Sequence, residues 1–142
     1  KRDTAITAVA GPLANLLLAF VSLFVGNAVY FGSLLTNSLV IKNILDFVYM
    51  IFLYIAMINI SLAVFNLVPI PPLDGSKILA AFLPDRTYYR LMAYERWFSF
   101  ILFALIFFST RFSNILSGSV YGVIRLFDWL TWLPFDLILK FI

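Results

Sequence analysis

The residues best suited to chemistry lie in one run, Asn66-Leu67-Val68-Pro69-Ile70-Pro71-Pro72-Leu73-Asp74-Gly75. It places an amide at the end of an apolar stretch, then prolines at 69, 71 and 72, then a carboxylate followed by glycine. Each proline lacks a backbone donor and disfavours helical geometry in the residue before it, so regular helix cannot continue and the backbone must open. Irregular backbone at membrane depth survives only where it is buried in protein or lines a wet cavity, since lipid cannot satisfy its polar groups. A carboxylate at such a place is costly unless it meets a cation, a proton or a metal, so Asp74 needs a partner. By itself Pro-Pro-Leu-Asp-Gly also reads as a tight connection, because proline presets one backbone angle and Asp-Gly accepts turn geometry.

The composition puts this run in a membrane. Of the 142 residues, 63% are hydrophobic, 18% aromatic and only 12% charged, against roughly 25% charged in a soluble domain. No charge occurs between Asp3 and Lys42, or between Asp46 and Asp74, and about 20 apolar residues suffice to cross a bilayer. A signal peptide is a poor alternative, since its apolar core is only about 7 to 15 residues long and occurs once. The net charge of +3 comes from basic residues scattered around apolar segments, which does not suggest nucleic-acid binding. With no cysteine, disulfides and thiolate ligands are excluded.

The elements that must position Asn66 and Asp74 follow from this pattern. The first apolar segment, about 5–35, is opened by Gly11-Pro12, with proline expected in an early helical turn where its missing N–H does little harm. Ser33, Thr36, Asn37 and Ser38 mark a short polar connection, and the second segment runs from about 44 to 68, antiparallel to the first. Residues 76–83 suit two helical turns, and 85–96 form the main aqueous stretch. A third segment, 97–110, is short for a span unless Arg111 snorkels. The tail, 120–142, reads as an interfacial or tilted helix broken near Pro134, with Trp129 and Trp132 as boundary residues. The expected fold is an all-α membrane protein: about three transmembrane helices with a broken, proline-rich helix end and a C-terminal interfacial or tilted helix. These make a single transmembrane domain over 1–142 with no separate soluble domain.

Basic residues set the orientation. Lys1, Arg2, Lys77, Arg86, Arg90 and Arg96 share one side and Lys42 alone marks the other, which places the N-terminus and the 69–96 segment in the cytoplasm by the positive-inside rule. Among the other polar residues, Asn59 and Asn66 lie seven apart on one helix face, a pattern for interhelical hydrogen bonding that also allows Asn59 to line a cavity. Arg111 reads as a snorkelling boundary residue and Arg125 with Asp128 as a surface ion pair.

Two motifs resemble the later half of the site-2 protease family of intramembrane zinc metalloproteases, in its small bacterial type. One is Ala10-Gly11-Pro12-Leu13-Ala14-Asn15; the other is the set Asn66, Pro69, Pro71, Asp74 and Gly75. The resemblance covers the first 80 or so residues and extends to the order and separation of the motifs. It implies a multi-pass protein of the bacterial plasma membrane that cleaves transmembrane protein substrates. It implies Zn2+ held by two histidines of a His-Glu-x-x-His helix and by Asp74, with Asn66 bonding substrate backbone or the transition-state oxygen. Asn15, Pro69, Pro71 and Gly75 would support substrate or structure. Such a ligand set leaves a fourth zinc position for water, which the metal acidifies.

The chain contains no histidine, so these residues alone cannot assemble that site, and the chain alone is expected to be inactive. Since it begins at Lys1 rather than methionine, the simplest expectation is a piece of a longer protein whose histidine helix lies upstream or on a separate chain. A natural pseudoprotease is the alternative. From other functional classes, an ion- or proton-coupled transporter or channel element would also use a broken helix with Asn66 and Asp74 near membrane depth, and a non-catalytic membrane scaffold would need neither.

Overall fold

The computed structural model describes residues 2–84, 86, 87, 90 and 93–141, with only the backbone of Arg2. Lys1 and Asp85, which the sequence places at the N-terminus and at the head of the aqueous stretch, lie outside the described residues. Five helices are described: α1 (Arg2–Leu35), α2 (Leu39–Asn66), α3 (Asp74–Ala80), α4 (Glu95–Phe108) and α5 (Thr110–Leu139). The described residues contain no strand. This is an all-α membrane protein. Two helices, Asp3–Leu35 and Leu39–Asn66, are long and apolar enough to cross a membrane, and the bent pair α4 and α5 makes a third if taken as one span. Helix is the expected answer for such segments, since it satisfies every backbone polar group internally.

Several boundaries differ from the sequence reading: α2 begins at Leu39 rather than near 44, and α5 at Thr110 rather than at 120. Gly11-Pro12 does not open α1; the helix begins at Arg2 and carries Pro12 inside it. The buried ring of Pro12 costs one backbone bond, which a long membrane helix tolerates. The tail does not break at Pro134, which sits within continuous α5. The break falls instead at Ser109, where the chain turns extended and α4 and α5 meet at 86°. There the Phe112 N–H donates to Ser109 Oγ at 3.3 Å, so Ser109 serves as the N-cap of α5. Finally, α3 spans Asp74–Ala80 rather than 76–83, and turns follow it at 81–83.

The described chain forms two compact units. The one made of Leu16–Ile60 and Tyr121–Ile142 has a core of small residues. On α1, Ala19, Ser22, Leu23, Gly26, Asn27 and Ser33 are buried along one helical stripe, and Ala56 and Ile60 of α2 and Thr131 and Phe135 of α5 are buried as well. A Cβ on Gly26 would lie 3.0 Å from the Phe52 Cβ, so absence of a side chain lets α1 and α2 approach closely. Phe135 packs on Phe24, Phe31 and Trp132 with ring centroids 5.4–5.7 Å apart.

The same unit holds a polar tie. Buried Asn27 donates through Nδ2 to Asp128 Oδ1 at 3.1 Å and to Thr131 Oγ1 at 2.9 Å. Asp128 thus takes its hydrogen bond from an amide, and among the described residues no ion pair joins it to Arg125. The carboxylate faces α1, and the exposed Arg125 is left on the surface.

Candidate functional site

The other unit, Lys1–Asn15 with Ser61–Val120, contains the amide-to-carboxylate run. Helix α2 ends at Asn66 as the prolines require. The connector then winds through short turns: Val68 N–H to Phe65 O at 3.1 Å, Ile70 N–H to Val68 O at 2.8 Å and Leu73 N–H to Ile70 O at 3.0 Å. Pro71 is buried, Pro69 is exposed, and the Pro71–Pro72 bond is cis. Ser76 closes the connector by donating twice to Leu73 O, from N–H at 3.1 Å and from Oγ at 2.7 Å. Asp74 opens α3 in its first turn, where a negative side chain suits the unpaired N–H groups.

Gly75 has a reason the sequence reading does not supply. No glycine among the described residues has positive φ, so turn geometry does not require one here. A Cβ at Gly75 would instead collide with the Leu67 carbonyl and lie 2.5 Å from Val68 O. Backbone carbonyls cannot rotate aside as side chains can, so glycine is needed for close approach of α3 to the end of α2.

The two oxygens of Asp74 have different surroundings. Oδ1 accepts from Lys77 Nζ at 2.9 Å, a pair one turn apart on α3 with side chains 29% and 40% exposed. Oδ2 accepts no hydrogen bond among the described residues and faces α1, where a Cβ on Gly11 would lie 3.7 Å from it. The carboxylate therefore sits beside α1 at a position without a side chain. Asn15 follows Gly11 by one turn on the same face of α1; it is half-buried and its side chain makes no hydrogen bond among the described residues. The same holds for the half-buried Asn66. Asn59 belongs to the other unit, and where the sequence suggests a bond to a neighbouring helix, its amide donates to Ile55 O of its own helix at 2.8 Å. Helices α1 and α3 also line an apolar groove of about 780 Å³, bordered by Ile6, Val9, Leu13, Ile78 and Phe82.

As a metal site this arrangement supplies one donor. Among the described residues no three His, Cys, Asp or Glu cluster, and the chain has neither His nor Cys. Asp74 fits one position of a zinc ion, being a carboxylate with one oxygen that is unbonded among the described residues. Sequence reasoning singled out Asp74 from its setting after the prolines, but not Lys77 as its partner, Gly11 as the neighbour of Oδ2, or the Asn27 tie. A basic residue three positions after an acid on a helix was the available signal for Lys77.

The profile of peptidase family M50 matches residues 1–109. A Bacillus subtilis (strain 168) protein named "Putative zinc metalloprotease YwhC" is 30% identical over 112 residues, which make up 78% of this chain and 48% of that protein. The chain thus spans about half the length of that relative. No solved structure matches it.

Proposed function

The chain belongs to peptidase family M50, the site-2 protease family, and from this premise we propose that it supplies the aspartate half of a zinc-dependent intramembrane protease. Asp74 is the metal ligand, using the oxygen that faces Gly11. The observation that supports this reading is the inequivalence of the two carboxylate oxygens: Oδ1 is held by Lys77, whereas Oδ2 is unbonded among the described residues and lies against a bare stretch of α1.

In this reading the other ligands are two histidines of a His-Glu-x-x-His helix, carried elsewhere in the complete protein. When bound, zinc acidifies a water and polarises the scissile carbonyl. The chain's own residues position and bind. The glycine contact at 75 and the two hydrogen bonds that Ser76 donates to Leu73 O hold the acid at the broken helix end. Asn66, with its amide unbonded among the described residues, donates to the substrate backbone or to its developing oxyanion. Asn15 and Asn59, with Pro69 and Pro71, support the substrate path and the open backbone. The substrate is a membrane protein cut in or near a transmembrane segment. The whole acts as a single multi-pass domain of a bacterial plasma membrane, with the 69–96 segment on the cytoplasmic side.

The test uses the full-length protein in detergent with a transmembrane substrate. Wild type binds one zinc per chain and cleaves. Asp74→Ala loses both, whereas Asn66→Ala keeps the metal and loses turnover by about 10²- to 10³-fold, as for a lost oxyanion donor. Normal zinc content and cleavage in Asp74→Ala would remove the ligand role.

A further inference from the structure

We propose that Lys77 is a positioning residue for the Asp74 carboxylate, holding Oδ1 so that Oδ2 is kept as the single oxygen offered to the metal. The inference rests on the ligand reading of Asp74 given above. It starts from the geometry of α3. Gly75 is pressed on the carbonyls of Leu67 and Val68, and Ser76 is tied twice to Leu73 O, so the backbone carrying residues 74 and 77 is set in place by the connector. What this frame leaves free is the side chain of Asp74. A carboxylate bonded on neither oxygen would turn about its last bond and present either one.

Lys77 removes that freedom. Its Nζ reaches Oδ1 at 2.9 Å from one helical turn away, and the remaining oxygen then points to α1 at Gly11. Both partners are partly exposed, with side chains 40% and 29% accessible, so the pair adds little to stability; fixing the orientation of the carboxylate is the consequence with chemical effect. Metal-binding carboxylates are commonly hydrogen-bonded by a neighbour in this way, and losing such a partner weakens metal binding by about 10- to 100-fold. The ammonium also repels a dication. The two effects oppose each other, and the sign of a Lys77 substitution separates them: an orienting lysine strengthens zinc binding, whereas a competing lysine weakens it.

The experiment measures zinc affinity of the full-length protein in detergent by competition with a chromophoric chelator, for wild type, Lys77→Met, Lys77→Arg and Asp74→Ala. Each variant is paired with a thermal midpoint and with the visible spectrum of the cobalt-substituted protein. The expected result is about 10- to 100-fold weaker zinc binding in Lys77→Met, with an altered cobalt spectrum, an unchanged midpoint and recovery of both readouts in Lys77→Arg. Unchanged or tighter zinc binding in Lys77→Met, while Asp74→Ala still loses the metal, overturns the role of Lys77 and leaves the ligand reading standing. Unchanged zinc affinity in Asp74→Ala overturns the ligand reading itself. Should Lys77→Met fail to fold, Lys77→Gln carries the same comparison.

Discussion

The side-chain amide of Asn27 donates to Asp128 Oδ1 across 3.1 Å, joining two helices through residues 101 apart in the chain. The same amide reaches Thr131 Oγ1 at 2.9 Å, so one buried group serves two acceptors one turn apart on α5. Replacing Asn27 with leucine removes both bonds and leaves Asp128 and Thr131 without this donor, at an expected cost of about 1–3 kcal/mol. A double-mutant cycle of Asn27→Ala with Asp128→Ala, read from unfolding in mixed micelles, should give a coupling of about 0.6 kcal/mol and at most about 1.7, the range for hydrogen bonds between membrane helices. Strict additivity would show that the bond contributes nothing.

Two glycines of α1 make a matched pair for testing helix separation. A Cβ on Gly26 would lie 3.0 Å from Phe52 Cβ, whereas on Gly32 its nearest neighbour would be Leu45 Cδ1 at 3.9 Å. Gly26→Ala should therefore destabilise by about 1–3 kcal/mol through overpacking. Gly32→Ala should be neutral or stabilise by up to about 1 kcal/mol through helix propensity. Thermal midpoints of the two variants decide the matter, and equal shifts would show that the close approach at Gly26 does not set the spacing.

What the sequence made legible was whatever composition and proline chemistry alone decide. The two long charge-free runs became α1 and α2, and the proline cluster ended α2 at Asn66 beside its acid. Features that depend on distant partners were hidden. Asn27 is a lone amide in an apolar run, and its role appears only when residues 128 and 131 are brought to it. Gly75 looked like a turn former because Asp-Gly usually is one, whereas its neighbours are the carbonyls of residues seven and eight positions earlier. Proline misled twice, at 12 and at 134, since a lost backbone bond is tolerable in a long helix. The break went to Ser109, whose capping hydroxyl carried a signal obscured by the phenylalanines before it.

Gly75→Ala should act at a distance of one residue from the acid. The added methyl meets main chain, so the connector itself must move, and Asp74 moves with it. Zinc affinity of the full-length protein should fall by about 10- to 100-fold, the scale of a disturbed ligand support, together with the thermal midpoint. Gly118→Ala, where nothing lies within 4 Å, is the control and should change neither. Wild-type zinc affinity in Gly75→Ala would show that the connector accommodates the methyl without shifting the carboxylate.

The orientation can be checked without removing native thiols from this chain, since it has none. The charge asymmetry predicts a cytoplasmic 69–96 segment, and on that prediction a cysteine at Asn37 should react with a membrane-impermeant maleimide in intact cells. One at Arg86 should react only after permeabilisation. The reverse pattern would invert the topology.

The seam between Gly75 and the carbonyls of Leu67 and Val68 is a meeting of main chain with main chain. An acid located by such a seam inherits its place from atoms that every amino acid shares. Residues 67 and 68 are then free to drift among greasy side chains as the surrounding lipid dictates, and the acid does not follow them. That latitude stops at a single neighbour, position 75, where the smallest possible addition would unseat the group on which the whole arrangement depends.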